Sequence, residues 1–133
     1  MKKNMPRLNR IVARYMLLIT VTLVIGQLEA PNTSAVSRFE TRCGWFINPT
    51  PGNAWLWDRN GEWIIGTQGG HQAEGDWPDF KPQQWVKTNG NYGYGCACLR
   101  VKVNPRTHEV LEIRSSYARS LAACRKDRAL KKP

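Results

Sequence analysis

Long apolar runs are scarce in this 133-residue chain, as are histidines, cysteines and the short motifs that announce an enzyme. The longest apolar stretch, "YMLLITVTLVIG", is bracketed by Arg14 and Gln27. It falls short of the roughly 20 residues that a spanning helix needs. Preceded by "MKKNMPRLNRIVAR", with five positive charges and no negative one, it reads as a signal peptide over residues 1–30. Cleavage is expected between residues 26 and 35, and if uncleaved this segment is the membrane contact the sequence predicts. No cysteine stands close after the run, so a lipoprotein anchor is not expected. Of the two histidines, neither is near the one tight cysteine pair, which argues against a zinc site with paired ligands. Neither a G-x-S-x-G nucleophile elbow nor a zinc-peptidase helix motif occurs. Signatures of nucleic-acid modules, internal repeats and heptads are absent too. The reading is therefore no cofactor, no metal and no nucleic-acid partner.

What remains after the leader is about 100 residues, enough for one domain. From Pro31 onward there are 15 Lys and Arg against nine Asp and Glu, a net charge of +6. Residues 31–80 hold three bases and six acids, whereas residues 81–133 hold twelve bases and three acids. All four cysteines (Cys43, Cys96, Cys98 and Cys124) follow the leader, which predicts two disulfides and an exported, periplasmic or secreted, location. Cys96 and Cys98 are i and i+2 on a strand, so they share a face with parallel side chains. That geometry does not bridge without strain, and each must take a distant partner. Two pairings are left; Cys43–Cys98 with Cys96–Cys124 is preferred, and the alternative stays open.

Residues 31–41, "PNTSAVSRFET", read as a linker, residues 42–130 as a single β-rich domain, and residues 131–133 as a basic tail. "RCGWFI" is a short strand ending at "NPTPGN", and "AWLWDRNGEWIIG" is a hairpin with either a two- or a three-residue loop. The long irregular "TQGGHQAEGDWPDFKPQ" is of the kind that is either functional or mobile. A second hairpin turns at Asn89–Gly90, and its return strand puts Ala97, Leu99, Val101 and Val103 on one face. Cys96, Cys98, Arg100 and Lys102 take the other face, where the Cys43 strand and the Cys124 tail are expected to cover the glycine-rich end. "HEVLEIRS" follows as a strand with Leu111 and Ile113 inward. "RSLAACRKDRAL" forms a short helix with Ser120 as N-cap. The fold class is mainly β: a twisted antiparallel sheet of about five or six strands, closed as a small roll or barrel, with a C-terminal helix and two disulfides.

The elements "RCGWFINPTPGNAWLWDRNGEW", "QGGHQAEGDWP" and "TNGNYGYGCACL" resemble a family of small exported bacterial proteins catalogued as a domain of unknown function. The likeness covers about residues 40–130, with "CGWF" and "GCAC" its most specific parts. It implies a bacterial exported domain and transfers no activity, substrate or catalytic residue.

Three surfaces carry candidate chemistry. His71, Glu74, Asp76 and Asp79 fall within nine residues of the long loop, where a histidine beside carboxylates could act as a base in a small hydrolase. All six tryptophans lie between Trp45 and Trp85; at least half are expected in the core, with Trp55, Trp57 and Trp77 as the exposed binding candidates. The basic C-terminal half, with Arg100, Lys102, Arg125, Lys126 and Arg128, suits an anionic envelope polymer. The preferred reading is a non-catalytic binding or inhibitor-like module of the cell envelope, contacting an envelope glycan or a secreted protein through the Trp hairpin and the His71 loop. Hydrolysis and electrostatic attachment are its alternatives.

Overall fold

A computed structural model describes residues 38–133. The expected signal peptide and most of the expected linker lie outside the described residues. Six strands form: β1 (Glu40–Thr50), β2 (Asn53–Asp58), β3 (Gly61–Gly66), β4 (Trp85–Asn89), β5 (Tyr92–Asn104) and β6 (Glu109–Arg119), followed by α1 (Leu121–Lys126). The mainly β class, the C-terminal helix and both disulfides follow the sequence reading. Glu40 and Thr41, read there as linker, already belong to β1.

The strands bond in the order β1-β2-β3-β6-β5-β4, and β1 also pairs with β5, which closes a ring of five with β4 added alongside β5. All pairings are antiparallel except β3 with β6, a single parallel contact at Ile64 and Glu109. This closure departs from a wholly antiparallel sheet, and the Ile64 N–H secures it by donating to the His108 carbonyl at 2.7 Å. The ring is thus a small five-stranded closed barrel with one parallel seam. Topology alone assigns no ligand.

β5 is long enough to serve two partners along one edge. Its first residues pair with β4, residues Cys96 to Asn104 pair with β6, and β1 runs along the opposite edge. Ala97, Leu99, Val101 and Val103 point into the ring, as their alternation predicts, and meet Phe46, Leu56, Trp63, Ile65, Val110 and Ile113. Burying each large side chain of this set contributes roughly 1.5–3 kcal/mol before conformational entropy is subtracted. Trp45, Cys96 and Cys124 form a second, smaller cluster on the outer wall, flanked by Ile47, Trp57, Tyr94, Leu121 and Leu130.

Several local expectations are corrected. β1 does not end before "NPT": it continues through Pro49 to Thr50, with a register shift after Ile47 that absorbs the proline. The β2–β3 loop is the shorter of the two lengths, so Trp57 pairs with Glu62 and Leu56 with Trp63. The second hairpin turns one residue later than expected: Asn89 pairs with Tyr92, and Gly90 takes the positive φ of 58°. His108, read as the start of a strand, is instead a turn residue with φ 57°. Ser120 occupies the N-cap of α1 but makes no side-chain capping bond.

The largest correction concerns β6. Lys102 pairs with Glu112 but Val103 pairs with Val110, so Leu111 is an extra, bulged residue. Val110 and Ile113 therefore face inward, and Leu111 is 41% exposed. The bulge has a use. The Glu74 N–H donates to the Leu111 carbonyl and the Ile113 N–H donates to the Glu74 carbonyl, which stitches the long loop onto β6. Gly75 makes this approach possible: its φ is 96°, and a Cβ there would lie 2.1 Å from the Ile113 carbonyl oxygen.

Candidate functional site

The cysteines pair as Cys43–Cys98 and Cys96–Cys124, and none is free among the described residues. Cys43 and Cys98 are direct cross-strand partners of β1 and β5. The first disulfide thus lies within the sheet, and the Cys43 strand runs beside β5 instead of covering its face as expected. The second disulfide does draw α1 over the outer wall, where Cys124 is buried against Cys96 and Trp45.

The long loop is fastened to the barrel. The His71 Nε2 lies 2.8 Å from the Val110 carbonyl oxygen, the Thr67 N–H donates to the His71 carbonyl, and the Ala73 N–H donates to the Ile65 carbonyl. Among the described residues no ion pair joins His71 to Glu74, Asp76 or Asp79. No group of three His, Cys, Asp or Glu side chains is arranged to hold a metal there either. Asp76 is exposed, and its backbone carbonyl accepts from Ser116 Oγ at 3.3 Å. The histidine and carboxylates that the sequence brings close are thus spent on anchoring or left apart.

The tryptophans are less open than expected, and fewer are fully buried. Trp45 and Trp63 are buried, the other four are half-buried, and none is exposed. Trp77 packs edge-on to Phe46 at 5.7 Å, beside Phe80, as a plug against the core. Trp55 and Trp57 share the outer face, as their spacing predicts, but Trp57 Nε1 donates to Glu62 Oε2 at 2.7 Å and packs against the outer-wall cluster. Trp55 stands between Ile47 and Ile64 in the register of β1, β2 and β3. Trp63 is held by a stack: the Arg42 guanidinium lies 3.7 Å from its ring centre and the His108 ring is stacked at 4.9 Å. Arg42 also pairs with Asp58, which accepts from Trp63 Nε1. Nothing in the sequence spacing announces this stack, because its members come from β1, β3 and the turn before β6.

The outer face of β1, β5 and β6 is different in kind. Arg100 stands opposite Ser115, Lys102 opposite Glu112, Cys98 opposite Tyr117 and Cys96 opposite Arg119. Lys102 Nζ pairs with Glu112 at 2.8 Å, which neutralises the acid on this face. Among the described residues Arg100, Arg114 and Arg119 have no carboxylate partner within ion-pair distance. Arg119 Nη1 sits 4.0 Å from Cys98 Sγ, over the in-sheet disulfide. Phe39 lies under two cations, with Lys102 Nζ 4.6 Å and Arg114 Cζ 5.0 Å from its ring centre. Tyr117 is 59% exposed, the one exposed Tyr, Trp or Phe side chain among the described residues. Arg125, Lys126 and Arg128 are exposed on and after α1, which follows β6 directly. Phe39 and Tyr117 were not among the expected site residues. The alternation of "RSSYAR", which puts Tyr117 on the same face as Arg119, is the signal that points to the second of them.

One acid of the basic C-terminal half is also neutralised. Asp127 accepts from Arg59 at 2.9 Å and from the Ala129 N–H at 3.0 Å. The Ala129 amide first, and Arg59 after it, hold the Asp127 carboxyl below the usual carboxylate range.

These features define a disulfide-stapled β-barrel domain with one cationic, aromatic-bearing wall. The chain belongs to the family described as "Protein of unknown function (DUF4087)", whose model matches residues 37–131. No curated protein and no solved structure matches it.

Proposed function

We propose that this domain is an exported, non-catalytic binding module of the cell envelope, and that the β1–β5–β6 face recognises a phosphate-bearing envelope polymer. The carrying observation is the juxtaposition of three arginines without carboxylate partners (Arg100, Arg114 and Arg119) with the exposed Tyr117 on one barrel wall. Unpaired guanidiniums suit phosphate, because their planar forks donate two parallel hydrogen bonds. An exposed phenol supplies apolar area with a polar tip, a combination common at contact surfaces. Arg125, Lys126 and Arg128 add charge at the end of the strand pair and steer a polyanion toward it. Export is supported by the pairing of all four cysteines, which suits an oxidising compartment.

The Trp hairpin and the His71 loop are weaker candidates for the contact. Trp57 and Trp77 are engaged in packing, and His71 faces a backbone carbonyl. Hydrolysis through His71 lacks a carboxylate to orient the imidazole.

The test is a titration of the domain with synthetic poly(glycerol phosphate) at several salt concentrations. Binding should weaken steeply as salt rises, and the double variant R100E/R119E should lose at least tenfold affinity. Binding that ignores salt, survives the double variant, or is tighter for single-stranded DNA than for the glycerol phosphate polymer would overturn the proposal.

A further inference from the structure

We propose that a cleft between the C-terminal tail and the outer wall of the barrel binds a single-chain amphiphile with an anionic head group. Arg100, Arg114 and Tyr117 of the β1–β5–β6 face do not line this cleft, whereas Arg125 and Arg128 border it. The cleft has a volume of about 640 Å³ and is lined by Trp45, Tyr94, Leu130, Arg125, Arg128 and Lys132. That size falls within the range of small-molecule sites, roughly 300–1,000 Å³.

Its inner wall is apolar and fixed. Trp45 is buried and meets Tyr94 edge-on at 5.5 Å, and the Cys96–Cys124 disulfide holds α1 against both. Leu130 packs against the same cluster from the tail. The rim is cationic: Arg125, Arg128 and Lys132 border the cleft, and none has a carboxylate partner among the described residues. Asp127, the one acidic side chain in the lining, is occupied by Arg59 and the Ala129 amide. Apolar wall and cationic rim make complementary demands. A neutral chain leaves three cations unanswered, and a bare inorganic anion leaves the apolar wall wet. An acyl or alkyl chain ending in a phosphate or carboxylate satisfies both. A recess of this volume between tail and barrel has room for a single short chain, so the occupant proposed is a free amphiphile and not a bilayer.

Isothermal calorimetry on the domain with octyl phosphate, octanol, octyltrimethylammonium and inorganic phosphate tests this, below micelle-forming concentrations. Octyl phosphate should bind at least tenfold more tightly than each of the other three. L130D should weaken it at least tenfold, and R125Q/R128Q should remove its advantage over octanol. Both changes lie at half-buried or exposed positions at the chain end, and thermal unfolding identifies any variant that has lost its fold. Arg100→Glu, which lies outside the cleft lining, should leave octyl phosphate binding intact while it weakens polymer binding, which separates the two sites. Equal affinity for octyl phosphate and inorganic phosphate would overturn the proposal. Unchanged binding by both variants would do so as well, as would binding to phosphatidylglycerol vesicles with none to the monomeric amphiphile.

Discussion

The outer wall of this barrel has two halves built on opposite principles. On the second half of β1 and on β2 and β3 it carries indoles and isoleucines, and the chain's own C-terminal segment packs over part of them: Trp45 is buried, and Trp57 lies in the same cluster as Leu130. On β5 and β6 it carries guanidiniums, serines and Tyr117, and nothing among the described residues pairs with three of the arginines. Apolar surface is removed from water by whatever segment can reach it, so an excess of tryptophan becomes packing. Guanidiniums gain little from exposed ion pairs and stay solvated, available to a ligand. In the proposed reading, charge without a partner, and not richness in aromatics, marks the contact surface.

That contrast can be broken most severely at the disulfides. In the chain-entropy model, closing separations of 55 and 28 residues is worth roughly 4 kcal/mol in each case. Replacing Cys96 and Cys124 by alanine should lower urea-unfolding stability by about that amount and free α1 from Trp45, which shifts indole fluorescence to the red. Replacing Cys43 and Cys98 should cost a similar amount without exposing Trp45. A red shift from both pairs would mean that the tail is not held by its own bridge.

The tryptophans supply the next test. Trp77→Ala removes part of the plug against Phe46 and should cost about 2–4 kcal/mol. Trp55→Ala, on the outer wall, should cost less than about 1 kcal/mol. Similar losses at the two positions in chemical denaturation would contradict the division between core plug and outer wall.

On the cationic half, changes should spare stability and alter binding. Arg100→Glu with Arg119→Glu should reduce poly(glycerol phosphate) affinity at least tenfold while the free energy of unfolding in urea stays within about 0.5 kcal/mol of the parent.

The smallest effect is expected at Asp127. Its carboxyl titrates below the ordinary value, so the contribution of its contacts is complete above about pH 4. It is lost as pH falls through the lowered native value. The protection factor of the Ala129 amide, its exchange rate divided into the intrinsic rate at the same pH, should fall on acidification, and Asp127→Asn should flatten that dependence. A protection factor that falls on raising the pH from neutrality would have the wrong sign.

Much of the frame is legible in the residues themselves. The alternation of β5 gives its inner face, the i and i+2 spacing of Cys96 and Cys98 forbids their bridge, and turn residues locate both hairpins to within a residue. What escapes is non-local or depends on bulges. Leu111 turns outward because an extra residue in β6 resets the alternation, and no periodicity rule anticipates that position. The stack of Arg42, Trp63 and His108 joins three elements that only the ring closure makes neighbours. The acidic loop reads as a site because His71 and three carboxylates are close in sequence, but backbone bonds to Ile65, Leu111 and Ile113 and the contact of the His71 ring with the Val110 carbonyl turn it into a strap. The basic face was partly visible as composition. Its aromatic members, Phe39 and Tyr117, needed strand registers to be placed beside Lys102 and Cys98.

Amide shift mapping by NMR during titration with poly(glycerol phosphate) tests the assignment of the binding surface most directly. The account predicts that the largest shifts fall on Arg100, Arg114, Ser115, Tyr117 and Arg119, with the amides around Trp55 and His71 unmoved. Shifts centred on Trp55, Trp57 and Ile64 of the β2–β3 wall or on the His71 loop, or none at saturating polymer, would contradict it.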